Sequence, residues 1–363
     1  MRIGILTQPL TSNYGCILQN YALQQTLMKM GHTPITIDIG KYTWFNWVKD
    51  FAKYIVKVCL NKKTVFPPIP TAIKKENKPL RNFVKNNIKI TRTRYSQLSP
   101  KIIRRNDFDA IIVGSDQVWR PKYNWKLLPD MFLRFAEKDN IRKIAYAASF
   151  GTDKWEFNKE QTSTCASLAK QFDAISVREE SGVELCQEGL GVNAVHVLDP
   201  TLLLSKKDYL KLCDKVAHRT PFVLAYILDY DDNKIKEIVE FAKCKGLSYI
   251  IKSAGGKVNE NDSIEDWLSL FRDAQFVITD SFHGTVFSII FNKDFYVFCN
   301  PKRGNSRFTS LLQLVGLENR IVEDCRIPQE EQINWDEVNQ LRKDKVVFSI
   351  SFLEEALELE RKL

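Results

Sequence analysis

The sequence predicts an α/β protein of two doubly wound, Rossmann-like domains facing across a cleft, and three observations carry that expectation. The chain has 363 residues, more than one hydrophobic core supports, since single cores stop growing near ~250 residues. It opens with a βαβ pattern: an apolar strand at 2–7, a polar loop at 8–15, a helix at 17–30 ended by Gly31, and a second strand at 35–39. The same alternation restarts at Phe222, after Asp199-Pro200-Thr201 interrupts the first series.

Each lobe follows from its apolar runs. In the first, strand-like stretches at 109–113, 144–148, 174–177 and 194–198 are apolar throughout, as strands covered on both faces are. In the second, strands at 222–228, 249–252, 276–279 and 295–298 alternate with helices, one reaching Lys245 before Gly246, then 264–272 and 284–291. This divides the chain into a first domain over 1–200, a second over 201–334 and a charged helical tail over 335–363 that can cross back onto the first. Composition is ordinary for a globular chain, with 44% hydrophobic, 11% aromatic and 27% charged residues, which excludes extended disorder. No run approaches the ~20 apolar residues of a membrane span, and the opening segment does not read as a signal peptide. A cytoplasmic protein is expected. The eight cysteines (16, 59, 165, 186, 213, 244, 299 and 325) show no C-x-x-C pair, so neither metal site nor disulfide framework is expected.

Charge is uneven. The formal net charge is +9, yet residues 41–105 hold 17 Lys and Arg against Asp50 and Glu76, a local +15 that leaves −6 elsewhere. This segment reads as a basic insertion. Within it, 42–60 forms an amphipathic helix with Lys49, Lys53 and Lys57 in one i, i+4 stripe and Trp44, Trp47, Phe51, Ile55 and Val58 on other faces. Such a helix either packs on its own domain with its lysines in water, or lies in the headgroup layer of an anionic membrane. No recognition motif accompanies the patch, so nucleic acid is not an expected partner.

Candidate chemistry lies at strand ends. At Thr279-Asp280-Ser281-Phe282-His283-Gly284-Thr285 a strand runs into a helix. Ser281, Gly284 and Thr285 sit where a helix start seats an anion, and His283 beside that seat is the candidate general acid. Arg178, leaving the strand at Ser176-Val177, presents a planar fork for a carboxylate or phosphate, or pairs with Glu179. Gly114-Ser115-Asp116-Gln117-Val118-Trp119 resembles a sugar-binding loop, with Ser115, Gln117 and Trp119 as acceptor contacts and Asp116 as either base or helix cap. Asn13-Tyr14-Gly15 is a polar turn suited to phosphate or hydroxyl contact, without the glycine spacing of a nucleotide loop. Arg303 and Arg307, between a late strand and helix, add cations beside the cleft.

Six motifs in order, Asn13-Tyr14-Gly15-x-x-Leu18-Gln19, Gly114-Ser115-Asp116-Gln117-Val118-Trp119, Ala147-Ala148-Ser149-Phe150-Gly151, Ser176-Val177-Arg178-Glu179, Leu198-Asp199-Pro200-Thr201 and Thr279-Asp280-Ser281-Phe282-His283-Gly284, resemble the polysaccharide pyruvyl transferase family. The resemblance implies a GT-B-like fold without a separate cofactor. It also implies transfer of a pyruvyl ketal from phosphoenolpyruvate to two hydroxyls of a glycan or undecaprenyl-diphosphate-linked oligosaccharide, at the inner face of the plasma membrane. It places the donor on Arg178 and His283. Relatives often carry arginine where this chain has Ser281, so Arg303 or Arg307 is expected to supply that cation. The other readings are a nucleotide-sugar glycosyltransferase on the same frame, and a non-catalytic carbohydrate-binding relative.

Overall fold

The computed structural model describes the chain apart from residues 12, 41–43, 61–77, 96, 215–217, 219, 254–261, 300–305, 324–325, 329–331 and 359–363, and apart from the side chains of 44–47, 49–50, 53, 57 and 253. The first sheet is parallel, formed by β1 (Arg2–Leu6), β2 (Thr33–Thr36), β3 (Ala110–Val113), β4 (Arg142–Ala148), β5 (Ala174–Val177) and β6 (Val195–His196), in the order β2-β1-β3-β4-β5-β6. The second, also parallel, contains β7 (Phe222–Ile227), β8 (Ser248–Ser253), β9 (Phe276–Thr279), β10 (Asp294–Phe298) and β11 (Ile321–Val322), in the order β11-β10-β9-β7-β8. Strand order reverses between β1 and β3 in one lobe and between β7 and β9 in the other. Crevices at the carboxyl ends of such switch points are where open α/β sheets bind ligands. These are the two Rossmann-like lobes of a GT-B-like fold.

The first helix, Tyr14–Lys29, begins three residues before its expected start because Asn13 caps it, accepting from the Cys16 amide at 3.2 Å. It is buried nearly all round and carries Gln19 into the switch point. Gln19 Nε2 donates to Thr7 Oγ1 (2.9 Å) while Gln19 Oε1 accepts from the Ser115 amide (3.0 Å), so one amide fixes the loops after β1 and β3. Tyr14 crosses to the second lobe and stacks on Trp267, ring centroids 5.5 Å apart. One continuous core runs from Ile3, Ile5 and Ile17 to Leu224, Trp267 and Phe287, so the lobes share apolar packing as well as a cleft.

The basic insertion is shorter than 41–105. From Lys78 onward the segment belongs to the first lobe. The Lys78–Asn87 helix buries Leu80, Phe83 and Val84 in the common core, and Thr36↔Ile90 and Ile39↔Tyr95 bridges extend the sheet edge. Among the described residues, the Trp44–Cys59 helix leaves Val48, Ala52, Ile55, Val56 and Cys59 exposed along one stripe, with Phe51 stacked on Tyr54 at 6.2 Å. Its lysine side chains lie outside the described residues. The last helix, Trp335–Glu358, begins where the expected helical tail begins. It sets Phe352 against Tyr146 of β4, and its Ser349 Oγ accepts from the Leu198 amide at 3.0 Å.

Candidate active site

The ends of β5 and β9 bring Arg178 and His283 to one carboxylate. Asp199, after β6, takes Arg178 Nη1 at 3.0 Å on Oδ2, and His283 Nε2 approaches the same oxygen at 3.9 Å. Ser115 Oγ lies 3.2 Å from Oδ2, while the Thr201 hydroxyl (2.6 Å) and amide (3.0 Å) donate to Oδ1. Arg178 also reaches Glu179 Oε1 through Nε at 3.4 Å, and Ser149 Oγ donates to that oxygen at 2.5 Å. The Arg178 guanidinium lies 4.6 Å from the Phe282 ring centroid and Arg307 5.8 Å from the same centroid, so one aromatic ring meets two cations. Both arginines are buried.

Three carboxylates, Asp116, Asp199 and Glu179, therefore serve two guanidiniums and one imidazole. Burial works against charge on Arg178, but Glu179, Asp199 and Asp116 outweigh it and hold it protonated. Burial also acts against ionised Asp199, yet His283, Arg178 and the Thr201 hydrogen bonds keep it below the usual carboxylate range. Burial and the charge of Arg178 bring Arg307 down to about 10. For His283, burial dominates the pull of Asp199 and pushes the imidazole down to about 4, leaving it neutral at physiological pH. The general acid expected near neutrality thus needs a bound anion to raise it.

The cluster is incompletely satisfied. Among the described residues, Arg178 Nη2, Glu179 Oε2 and His283 Nε2 are buried without a hydrogen-bond partner. Leaving a buried group unpaired costs about 1–3 kcal/mol, so three together at a lobe junction mark groups held for something else. Asp116 adds backbone strain. Its φ of +70° is in the left-handed region, which costs a residue other than glycine about 1–3 kcal/mol and clusters at functional sites. Its carboxylate accepts from the Gln117 amide at 2.8 Å.

The family model for polysaccharide pyruvyl transferase matches residues 13–300. The chain belongs to the polysaccharide pyruvyl transferase family. Membership makes it a transferase of polysaccharide biosynthesis. Comparison with curated proteins finds no match. Solved structures similar in outline include UDP-GlcNAc 2-epimerase from Methanocaldococcus jannaschii (12% identity, 100% of this chain and 94% of that one, TM-score 0.47). UDP-N-acetylglucosamine 2-epimerase from Rickettsia bellii (11%, 98% and 98%, 0.40) and the E. coli heptosyltransferase WaaC (15%, 95% and 100%, 0.38) are others.

Several expected contacts of this pyruvyl-transferase relative have other duties. Trp119 is fully buried, stacked on Phe132 at 4.6 Å with its indole N–H donating to the Met131 carbonyl (3.1 Å), so it is core and not an acceptor platform. Asn13 is a cap and Tyr14 a strut between lobes. Gly15 is a clearance: a Cβ there would lie 1.9 Å from His283 Nδ1. Gly284 lets the helix start close on Thr279, where a Cβ would meet Oγ1 at 2.3 Å, and its amide donates to the Ser281 hydroxyl at 3.3 Å. Thr285 Oγ1 donates back to the Ser281 carbonyl at 3.2 Å. The cap fills the helix start, and Gly284 and Thr285 do not form an open anion seat. Gln117 holds Arg120 Nη1 on its side-chain oxygen at 3.0 Å. Ser115 belongs to the Asp199 web. Arg307 joins the cluster, whereas Arg303 lies outside the described residues.

Asp199 and Glu179 were not singled out from sequence as site residues, nor were Ser149 and Phe282. The available signal for Asp199 was its place after a strand, three residues past His196, whose Nε2 lies 3.0 Å from the Arg178 carbonyl oxygen.

The geometry carries a prediction for Arg178→Lys. A lysine retains one bond to Asp199 but cannot offer a second nitrogen in the same plane. Affinity for an anion gripped by this guanidinium, probed by isothermal titration with phosphoenolpyruvate, should fall by about tenfold to a hundredfold, consistent with the ~1.5–3 kcal/mol of a charge-assisted bond. Unchanged affinity would place the ligand elsewhere.

Proposed function

We propose that the chain transfers a pyruvyl ketal from phosphoenolpyruvate to two hydroxyls of a sugar in a lipid-linked polysaccharide precursor. The observation carrying this reading is that Arg178, bound to Asp199 through Nη1, and His283, whose Nε2 lies 3.9 Å from the same carboxylate, meet at the lobe junction while Arg178 Nη2 and His283 Nε2 stay buried without a hydrogen-bond partner. Phosphoenolpyruvate offers a carboxylate and a phosphate on one small frame, and a fixed guanidinium beside an imidazole suits either group.

In this mechanism the incoming anion raises His283 from its low resting value, because a nearby negative charge favours the imidazolium. His283 then gives its proton to the methylene carbon of phosphoenolpyruvate, generating an oxocarbenium-like centre at the adjacent carbon. A sugar hydroxyl adds to that centre as its proton passes to Asp116. The carbon–oxygen bond to phosphate breaks and inorganic phosphate leaves with the proton held by Asp116, and the second hydroxyl closes the ketal as its proton returns to His283. Asp199 and Glu179 hold Arg178 in place throughout, acting as positioning residues.

The test is incubation with phosphoenolpyruvate and a panel of lipid-linked sugars, following the mass of the glycan and released phosphate together. A pyruvyl mass gain matched by phosphate supports the proposal. Stabilisation against heat by a nucleotide sugar but not by phosphoenolpyruvate would favour the glycosyltransferase reading instead; a ligand at 100 times its Kd adds ~2.7 kcal/mol.

The lipid-linked part of the reading draws on the Trp44–Cys59 helix. Its exposed stripe is apolar, with Val48 57%, Ile55 44% and Val56 57% exposed, beside the lysine row at 49, 53 and 57. Among the described residues no helix is long and apolar enough to cross a membrane, so the contact proposed is peripheral. Changing Lys49, Lys53 and Lys57 to Gln should weaken binding to anionic vesicles by roughly a hundredfold at low salt, at ~1 kcal/mol per lysine, with less effect at high salt. Co-sedimentation with phosphatidylglycerol vesicles measures this, and equal binding by both proteins would return the helix to ordinary packing.

A further inference from the structure

A cavity of about 290 Å³ opens at the carboxyl ends of β1 and β2, apart from the Arg178 cluster. Its walls include Pro9, Leu10, Ile37, Ile39, Val84 and Ile90. Three cations join them. Arg81 and Lys85 come from the same face of the Lys78–Asn87 helix as Val84, by i, i+3, i+4 spacing, and Arg94 comes from the following loop. Asp38 is the single carboxylate among the lining residues and lies 3.4 Å from Arg94 Nε.

Two polar side chains in these walls, Thr36 and Gln8, are already occupied. Thr36 Oγ1 donates to Asn20 Oδ1 at 2.8 Å and accepts from Gln24 Nε2 at 2.7 Å. Gln8 Nε2 donates to the Gln117 carbonyl at 3.2 Å. A bare sugar ring, which needs several side-chain hydrogen bonds, finds few here. An anion attached to an aliphatic chain finds both cations and apolar walls.

We propose that this cavity binds the head of an anionic amphiphile, a phosphate or diphosphate ester of an aliphatic chain, and thereby holds the carrier end of the acceptor. The proposal rests on the lipid-linked reading above for the identity of that carrier. Two features of the chain fit it. The wall residue Ile39 precedes the exposed Trp44–Cys59 helix by five residues, at most roughly 18 Å of chain, so cavity and apolar stripe are neighbours along the sequence. On its other side, Gln8 connects the cavity wall to the loop carrying Asp116, the proposed base for the acceptor hydroxyl. A carrier head seated here is therefore anchored beside the loop at which its sugar would react.

The experiment measures binding of farnesyl diphosphate to the full chain by isothermal titration, with farnesol and inorganic pyrophosphate as separate arms. Farnesyl diphosphate should bind at least tenfold more tightly than either. Arg81→Gln combined with Lys85→Gln should weaken it at least tenfold. Ile90→Trp, at a wall position 39% exposed and tolerant of bulk, should fill the space and abolish binding with the thermal transition preserved. Arg178→Lys should leave it unchanged. Equal affinity for pyrophosphate would reveal a free-anion site, equal affinity for farnesol a non-specific apolar one, and unchanged binding in both cavity variants a site elsewhere; each overturns the proposal. Failure of pyruvyl transfer alongside intact farnesyl diphosphate binding would sink the proposed function and leave this site standing.

Discussion

Replacing His283 by glutamine should lower turnover of pyruvyl transfer by about 10²–10⁴-fold, the usual contribution of a positioned general acid, with donor affinity changed only a few-fold. Glutamine keeps a polar group near Asp199 but has no proton to give at useful acidity. The residue sits in the first turn of the Phe282–Phe291 helix, its side chain only 11% exposed, so water is a poor substitute donor. Its resting value of about 4 sharpens the expectation. Donor binding must draw a proton onto the ring, so titrations in buffers of different ionisation enthalpy should show proton uptake by the native chain and less by the variant. Affinity should rise as pH falls from 8 toward 5, because the protonated ring is the form that the anion favours. Parallel losses in affinity and turnover would make His283 a structural residue.

Gly15→Ala is the second large effect. The added methyl would lie 1.9 Å from Nδ1 and 2.3 Å from Cγ of His283, the root of the ring, so the ring cannot swing aside cheaply. Both helix starts are anchored, one by Asn13 and the Tyr14–Trp267 stack, the other by Ser281. Overpacking of this kind costs about 1–3 kcal/mol, and displacing a reacting group by an ångström costs on the order of 10²-fold in rate. Turnover should drop by that factor and the thermal midpoint should fall. In a His283→Ala background the same glycine change should recover much of the stability and cost little further rate, because the obstructing ring is gone. Additive losses in that double-mutant cycle would contradict the contact.

Much of the architecture was legible because both sheets are covered on both faces, leaving strands as plain apolar runs; Ala174–Val177 and Phe276–Thr279 match expectation residue for residue. Burial across the lobe junction hid the rest. Asn-Tyr-Gly reads locally as a turn, yet Tyr14 is buried against Trp267, so the helix starts early. The two-residue β11 has no periodicity to detect. Trp119 beside Asp116 looked like a sugar platform, but nothing local distinguishes an indole facing solvent from one facing Phe132. Arg178 and His283 stand out in the sequence by their positions at strand ends and by the resemblance, and the structure sets both beside Asp199. Asp199, which gathers them, was obscured because Asp-Pro-Thr is also an ordinary cap, and the structure uses it as both.

The uninterrupted core from Ile17 to Phe287 has a mechanical meaning. Prising the lobes apart would strip water-shy surface from both at once, including the Tyr14 and Trp267 rings, so wide hinge opening is disfavoured. Heating should therefore melt both halves together in a single cooperative transition.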